Sequence, residues 1–237
     1  MKKVAWFSGG VSSFIACYLC KETVNEIIYI DIDDQHTDTM RFLKDCESAL
    51  NKEITVIKSS LSGVEDALRK SKFINSPYGA PCTMLLKKRV RQQWEKRQKE
   101  ELIYIWGYDS EERNRADRLK RSMLEYDHIF PLIENNLVKS DAHALLERLN
   151  IKRPKMYELG YQNNNCIGCP KGGMGYWNKI RVDFPRVFEA RAKLEREINA
   201  TCIKGIFLDE LEEGRGRFET EIMQECSIMC AIAYEKI

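Results

Sequence analysis

At 237 residues the chain is long enough for one large α/β domain, or for a domain with an appendage. Its 43% hydrophobic and 31% charged residues are those of a soluble globular protein, and a formal charge of +2 is too small to argue for nucleic acid by itself. No run approaches the roughly 20 apolar residues that span a bilayer, and the apolar stretch after Lys3 is too short for a secretion signal, so no membrane association and a cytoplasmic location are expected.

The first two-thirds alternates strands and helices. Lys3 to Phe7 reads as a buried strand and Ser12 to Lys21 as a helix. Glu26 to Asp31 is a second strand, Thr39 to Leu50 a helix with Met40, Leu43 and Leu50 at helical spacing, and Ile54 to Ile57 a third strand. A long basic helix is expected over Met84 to Gln98, a fourth strand over Leu102 to Trp106, a helix over Glu111 to Leu124 and a fifth strand over Ile129 to Ile133. This order predicts an α/β fold: a doubly wound, mostly parallel five-stranded sheet. Ligands of such sheets bind beyond the carboxyl ends of the strands, where Ser8, Asp31 and Gly107 fall.

The pattern changes near residue 150. Residues 1–150 are read as the α/β domain and 151–237 as a small, mainly helical, cysteine-containing C-terminal appendage. From Asn163 the chain is loop-like and rich in Cys, Gly and Asn. A charged helix follows over Pro185 to Ile198, and Ile203 to Leu208 is a strand or a buried helical turn.

Ser8-Gly9-Gly10-Val11-Ser12-Ser13 sits between a strand and a helix. Paired glycines let backbone approach a ligand closely, a helix start presents N–H groups and a positive dipole end, and serines add hydroxyl donors. Together they form a pocket for phosphate. The spacing is neither a Walker A loop nor a dinucleotide fingerprint. Charge logic adds Lys87, Arg115 and Arg118 as cations for phosphate oxygens, Asp31 and Asp33 as contacts for ribose, adenine or Mg²⁺, and Gly107 as a place where a nucleotide lies against a strand end. Lys87, Lys88, Arg89, Arg91, Lys96 and Arg97 form a basic run that reads first as a solvated face and second as a track for a nucleic-acid backbone.

Nine cysteines without a secretion signal read as thiols or metal ligands. Cys166-Ile167-Gly168-Cys169-Pro170 is a Cys-x-x-Cys turn, and Cys226 and Cys230 share a helix face if that segment is helical. These four thiolates fit an iron–sulfur cluster, a tetrahedral zinc site or a redox pair, and spacing does not choose among them. Cys82 sits before the basic helix. Cys17, Cys20, Cys46 and Cys202 read as buried thiols. Tyr176 and Trp177, after the flexible Gly172-Gly173, read as packed rings, with base stacking the alternative.

The Ser8–Ser13 segment resembles the PP-loop of ATP pyrophosphatases and PAPS (phosphoadenosine phosphosulfate) reductases, whose pattern is Ser-Gly-Gly-x-Asp-Ser; Ser12 stands where the pattern has Asp. Asp31-Ile32-Asp33, Cys82-Thr83-Met84-Leu85-Leu86-Lys87, the run from Gly107 through Glu112 to Arg115, Phe130-Pro131-Leu132, and the stretch through Tyr157, Gly160, Cys166 and Cys169-Pro170 resemble later landmarks of the PAPS-reductase-like family, in order over roughly residues 4 to 170. The resemblance implies an adenine-nucleotide enzyme using ATP or PAPS with Mg²⁺. Its nucleotide is held by Ser8, Gly9, Gly10, Val11, Ser12, Ser13, Asp31, Asp33, Gly107 and Arg118, with Lys87, Glu112, Arg115 and Cys82 at the chemistry.

The tail reads Glu225-Cys226-Ser227, without the Gly-Leu-His that follows the catalytic Cys of sulfite-forming reductases. The paired cysteines resemble instead the sulfur-transfer branch of tRNA thiolation and DNA phosphorothioation. In that reading ATP is cleaved to AMP and pyrophosphate to activate an acceptor, such as a nucleic acid, for sulfur from a donor protein. A PAPS or adenylylsulfate reductase, and a non-catalytic nucleotide-binding protein with a structural thiolate site, remain open beside it.

Overall fold

The computed structural model describes residues 1–76 and 79–218. Cys226 and Cys230 lie outside the described residues. Five strands form one sheet: β1 (Lys2–Phe7), β2 (Glu26–Asp31), β3 (Ile54–Lys58), β4 (Leu102–Ile105) and β5 (Asp127–Ile129), in the order β3-β2-β1-β4-β5. β1 pairs in parallel with β2 and β4, and β4 in parallel with β5. This is the α/β architecture expected from the alternation. Chain order reverses at β1, so the crevice between the ends of β1 and β4 is the topological switch point where such sheets take ligands.

The described chain divides into two compact units, each built from separated segments: residues 1–31, 37–57 and 92–164 in the first, and residues 32–36, 58–91 and 165 onward in the second. The first unit holds the sheet with α1 (Val11–Leu19), α2 (Asp38–Leu50), most of α4 (Arg89–Glu95), α5 (Arg113–Ser122), α6 (Pro131–Glu134), α7 (Lys139–Arg148) and α8 (Lys155–Glu158). Its core is Ala5 and Phe7 of β1, Phe14 and Ile15 of α1, Ile27 and Tyr29 of β2, and Phe42 and Leu43 of α2, all within 3% of full burial. Each large side chain there stabilises the fold by roughly 1.5–3 kcal/mol.

The second unit holds α3 (Val64–Ser71), a π-helical turn over Thr83–Lys88, α9 (Met174–Asp183) and α10 (Pro185–Ile198). Among the described residues no helix is long and apolar enough to cross a membrane.

Ile203 to Leu208, expected as a strand or helical turn, is a tight turn closed by an isolated bridge between Ile203 and Ile206, and three further expected elements differ. The long basic helix expected over residues 84–98 is a π-turn with a wider hydrogen-bond spacing, followed by the short α4, which ends at Glu95. The fifth strand is Asp127–Ile129, and Pro131 opens α6 where the strand was expected to continue, since proline suits a helix's first turn and cannot donate to a sheet. The glycine-rich stretch after Cys169 turns into α9 at Met174.

Candidate functional site

β1 ends at Phe7, and the chain turns through Ser8, Gly9 and Gly10 into α1, whose cap is Gly10. Gly9 has φ +79°, a left-handed conformation that costs glycine little. The first N–H groups of α1 have no partner within the helix and carry its positive dipole end. Ser13 stitches the turn from inside: its hydroxyl donates to the Gly10 carbonyl at 2.8 Å and accepts from Ser8 N at 3.2 Å and Ser8 Oγ at 2.9 Å. One donation and two acceptances use the whole capacity of a hydroxyl. Ser12 is buried beside it, and Val11 N donates to the phenol of Tyr157 on α8 at 3.4 Å.

Gly107, just past β4, closes the other side of the switch point. A Cβ there would lie 2.4 Å from Ser13 Cα and 2.7 Å from Ser13 N. Only a residue without a side chain lets the end of β4 pack on the loop this closely.

Arg115 lies on α5 and is buried, ion-paired with Glu112 and set 4.6 Å over the ring of Tyr108. Glu112 also accepts from Asp109 N at 3.3 Å, and Asp109 accepts from Glu111 N at 3.0 Å, a capping box at the start of this helical segment. Glu112 and Arg115 thus stand side by side. Arg118, one turn further, is exposed and donates to the Asn114 carbonyl. Asp31 ends β2 half-buried.

The remaining expected residues among those described belong to the second unit. Asp33 is exposed, 3.7 Å from Lys58. Its neighbour Asp34, unremarked in the sequence, is the better anchored carboxylate. It accepts from Val64 N at 2.6 Å at the start of α3, and Gly63 leaves it room, since a Cβ there would lie 2.3 Å from Asp34 Oδ2. Burial pushes the Asp34 carboxyl up from its ordinary range.

Cys82, Thr83 and Lys87, at the head and along the π-turn, line one small recess with Ile32, Val64, Leu86, Cys166, Cys169 and Pro170. Cys82 and the distant Cys166–Cys169 turn thus line a common space beside a lysine. The Cys166–Cys169 turn is clasped by Tyr176, whose hydroxyl accepts from Cys169 N at 2.9 Å and donates to the Cys166 carbonyl at 3.4 Å. Gly168 takes φ +71° inside the turn. Tyr176 and Trp177 are 2% and 0% exposed, so they pack rather than offer faces to a base.

Cys202 is buried, and burial, then the neighbouring Glu195 carboxylate, pushes its thiol well up, with Cys82 adding to the rise. Cys17 and Cys46 lie in the first unit's core with thiols pushed up by burial, as inert core cysteines should be. None of the seven described cysteines is in a disulfide. Among the described residues no three His, Cys, Asp or Glu side chains stand where they could hold a metal ion.

The sequence pattern that defines the phosphoadenosine phosphosulfate reductase domain matches residues 2–172. An uncharacterized protein of Methanocaldococcus jannaschii is 25% identical over 212 residues, which are 81% of this chain and 41% of that protein. The chain thus spans about two-fifths of the length of the curated relative it matches. The crystal structure of the PAPS reductase of Candida auris, a phosphate complex, superposes with a TM-score of 0.50 over 70% of this chain and 81% of that one, at 14% identity, a likeness of fold.

Proposed function

Because the chain belongs to the phosphoadenosine phosphosulfate reductase domain family, we propose that it is an adenine-nucleotide enzyme that cleaves ATP to AMP and pyrophosphate, activating an acceptor for sulfur transfer. The observation that carries this reading is the Ser8–Ser13 turn at the switch point, held closed by Ser13 from within and by Gly107 from β4. Its helix-start amides suit phosphate oxygens. Buried Arg115, already oriented by Glu112, suits the charge that develops as pyrophosphate leaves. An acceptor oxygen attacks the α-phosphorus, and pyrophosphate departs with the bond's electron pair. A sulfur nucleophile from a donor protein then displaces AMP from the activated acceptor, which can be a nucleic acid.

The recess lined by Cys82, Cys166 and Cys169 supports the sulfur half of this reading, with Lys87 supplying positive charge beside a sulfur anion. The same soft donors suit iron–sulfur or zinc chemistry, while among the described residues no three His, Cys, Asp or Glu side chains are grouped to hold a metal ion. Iron, sulfide and zinc content after anaerobic purification tests that part. Asp31 and Asp33 are the carboxylates proposed to contact ribose, adenine or Mg²⁺.

The deciding experiment is calorimetric titration of anaerobically purified protein with Mg²⁺–ATP and with PAPS, alongside Gly10→Val. Preference for ATP, lost in a folded Gly10→Val variant, supports the proposal. Preference for PAPS with sulfite release marks a reductase instead. Tight nucleotide binding without turnover marks a non-catalytic nucleotide-binding protein.

A further inference from the structure

Asn164 stands 155 positions from Gly9, yet its side-chain Nδ2 donates to the Gly9 carbonyl at 2.9 Å and to Thr39 Oγ1 at 3.1 Å. Both amide hydrogens are thereby used. The opposite orientation of the amide would set Oδ1 against the Gly9 carbonyl, acceptor to acceptor, so the geometry admits one rotamer. Asn164 is 5% exposed and its Oδ1 is buried without a partner among the described residues. A buried acceptor left unsatisfied lowers stability, so packing does not explain an asparagine here. Its two donors do.

We infer that Asn164, held by Thr39, is a positioning residue of the phosphate loop: by gripping the Gly9 carbonyl it aims the Gly10 N–H at the bound phosphate. The Gly9–Gly10 peptide is planar and trans, so its C=O and N–H point in opposite directions. Fixing the carbonyl on the Asn164 side turns the N–H to the other, where α1 begins. Gly9, at φ +79°, has no side chain to hold that plane against its neighbours, and a Cβ on it would press on Thr39 Cγ2 at 3.1 Å. An external clamp is what such a peptide needs. The neighbouring Asn163 accepts from Lys139 Nζ, which anchors the segment that carries the clamp to α7. Preorganised amides bind anions better because they need no reordering on binding.

The inference rests on the reading of Ser8–Ser13 as a phosphate loop, and the test separates the two. Full-length wild type, Asn164→Ala, Asn164→Asp and Thr39→Val are titrated with ATP, pyrophosphate and adenosine, and their thermal midpoints are compared. Asn164→Asp keeps the shape and loses the donors, so it reports even if Asn164→Ala fails to fold. The expected result is a loss of pyrophosphate and ATP affinity of about 10- to 100-fold in both Asn164 variants, the scale of one or two charge-assisted hydrogen bonds. A smaller loss is expected in Thr39→Val, non-additive with Asn164→Asp, and adenosine affinity should be unchanged. Folded variants that bind pyrophosphate like wild type overturn the inference and leave the loop reading standing. Equal losses for pyrophosphate and adenosine also overturn it, because they mark a structural role. Wild type that binds neither ATP nor pyrophosphate overturns both.

Discussion

Gly107 does for the loop what no side-chain-bearing residue can. Its missing Cβ is the space into which the Ser13 backbone packs, at a distance of 2.4 Å from the position that atom would take. Backbone cannot move aside as a flexible side chain would, so Gly107→Ala must push the loop away from β4. Overpacking of this kind costs about 1–3 kcal/mol. In a chain of this size that lowers the thermal midpoint by about 2–4 °C for each kcal/mol. ATP affinity should fall by at least about tenfold, one 1.4 kcal/mol step in binding. Calorimetry of Gly107→Ala with ATP measures this, and wild-type affinity in the variant would mean that the loop does not depend on the close approach. Gly107 and the loop were legible in the sequence because both sit at strand ends. Their contact was not, since it joins residues 94 positions apart.

Elements of the second unit are tied together by side chains that reach across turns. Glu195, fully buried on α10, accepts from Cys202 N at 2.5 Å and Leu208 N at 2.6 Å. One carboxylate therefore satisfies two buried backbone donors in the segment that returns after α10. Replacing it by alanine orphans both donors, at about 1–3 kcal/mol each. Hydrogen exchange should show residues 200–208 losing protection in Glu195→Ala while α1 and β1 keep theirs. Unchanged protection in that segment would show that the carboxylate is not what closes it. The helix itself was legible as a charged segment over Pro185 to Ile198, the bounds it takes. The role of Glu195 was not, because a glutamate on a charged helix looks like every other until its burial is known. The π-turn over Thr83–Lys88 was hidden for a related reason: five of its six residues are Met, Leu or Lys, ordinary helix formers that carry no signal for a wider turn.

On the scale of the whole molecule the two units should answer acid in opposite senses. In the first, His143 packs edge-on against Tyr157 at 4.9 Å, and burial, reinforced by Lys139 and Arg153, pulls its pKa down to about 4. A depressed folded pKa means stability that is present above the ordinary histidine value and is lost as pH falls toward about 4. In the second, burial pushes the Glu195 and Asp34 carboxyls up. A raised folded pKa means stability that is full below the ordinary carboxylate range and declines as pH rises through the raised values. Hydrogen exchange at pH 5 and pH 7, corrected for intrinsic rates, should show α7 and α8 less protected at the lower pH and residues 195–208 no less protected. A common direction in both units would refute the opposition. His143→Phe should flatten the response of the first.

From the sequence alone came the strand–loop–helix at Ser8–Ser13, the alternation that makes a parallel sheet and the likeness to the PAPS-reductase family. All of these depend on neighbours a few residues apart or on motifs in a fixed order, which a linear reading preserves. Tertiary structure alone decided that Asn164 and Thr39 grip Gly9, that Tyr157 meets Val11, that Tyr176 clasps the cysteine turn and that Cys82 faces Cys166 and Cys169. Many of these contacts join one polar group to another across tens of residues or more. Such contacts leave no periodicity in the chain, because each satisfies a single buried donor or acceptor at one point in space.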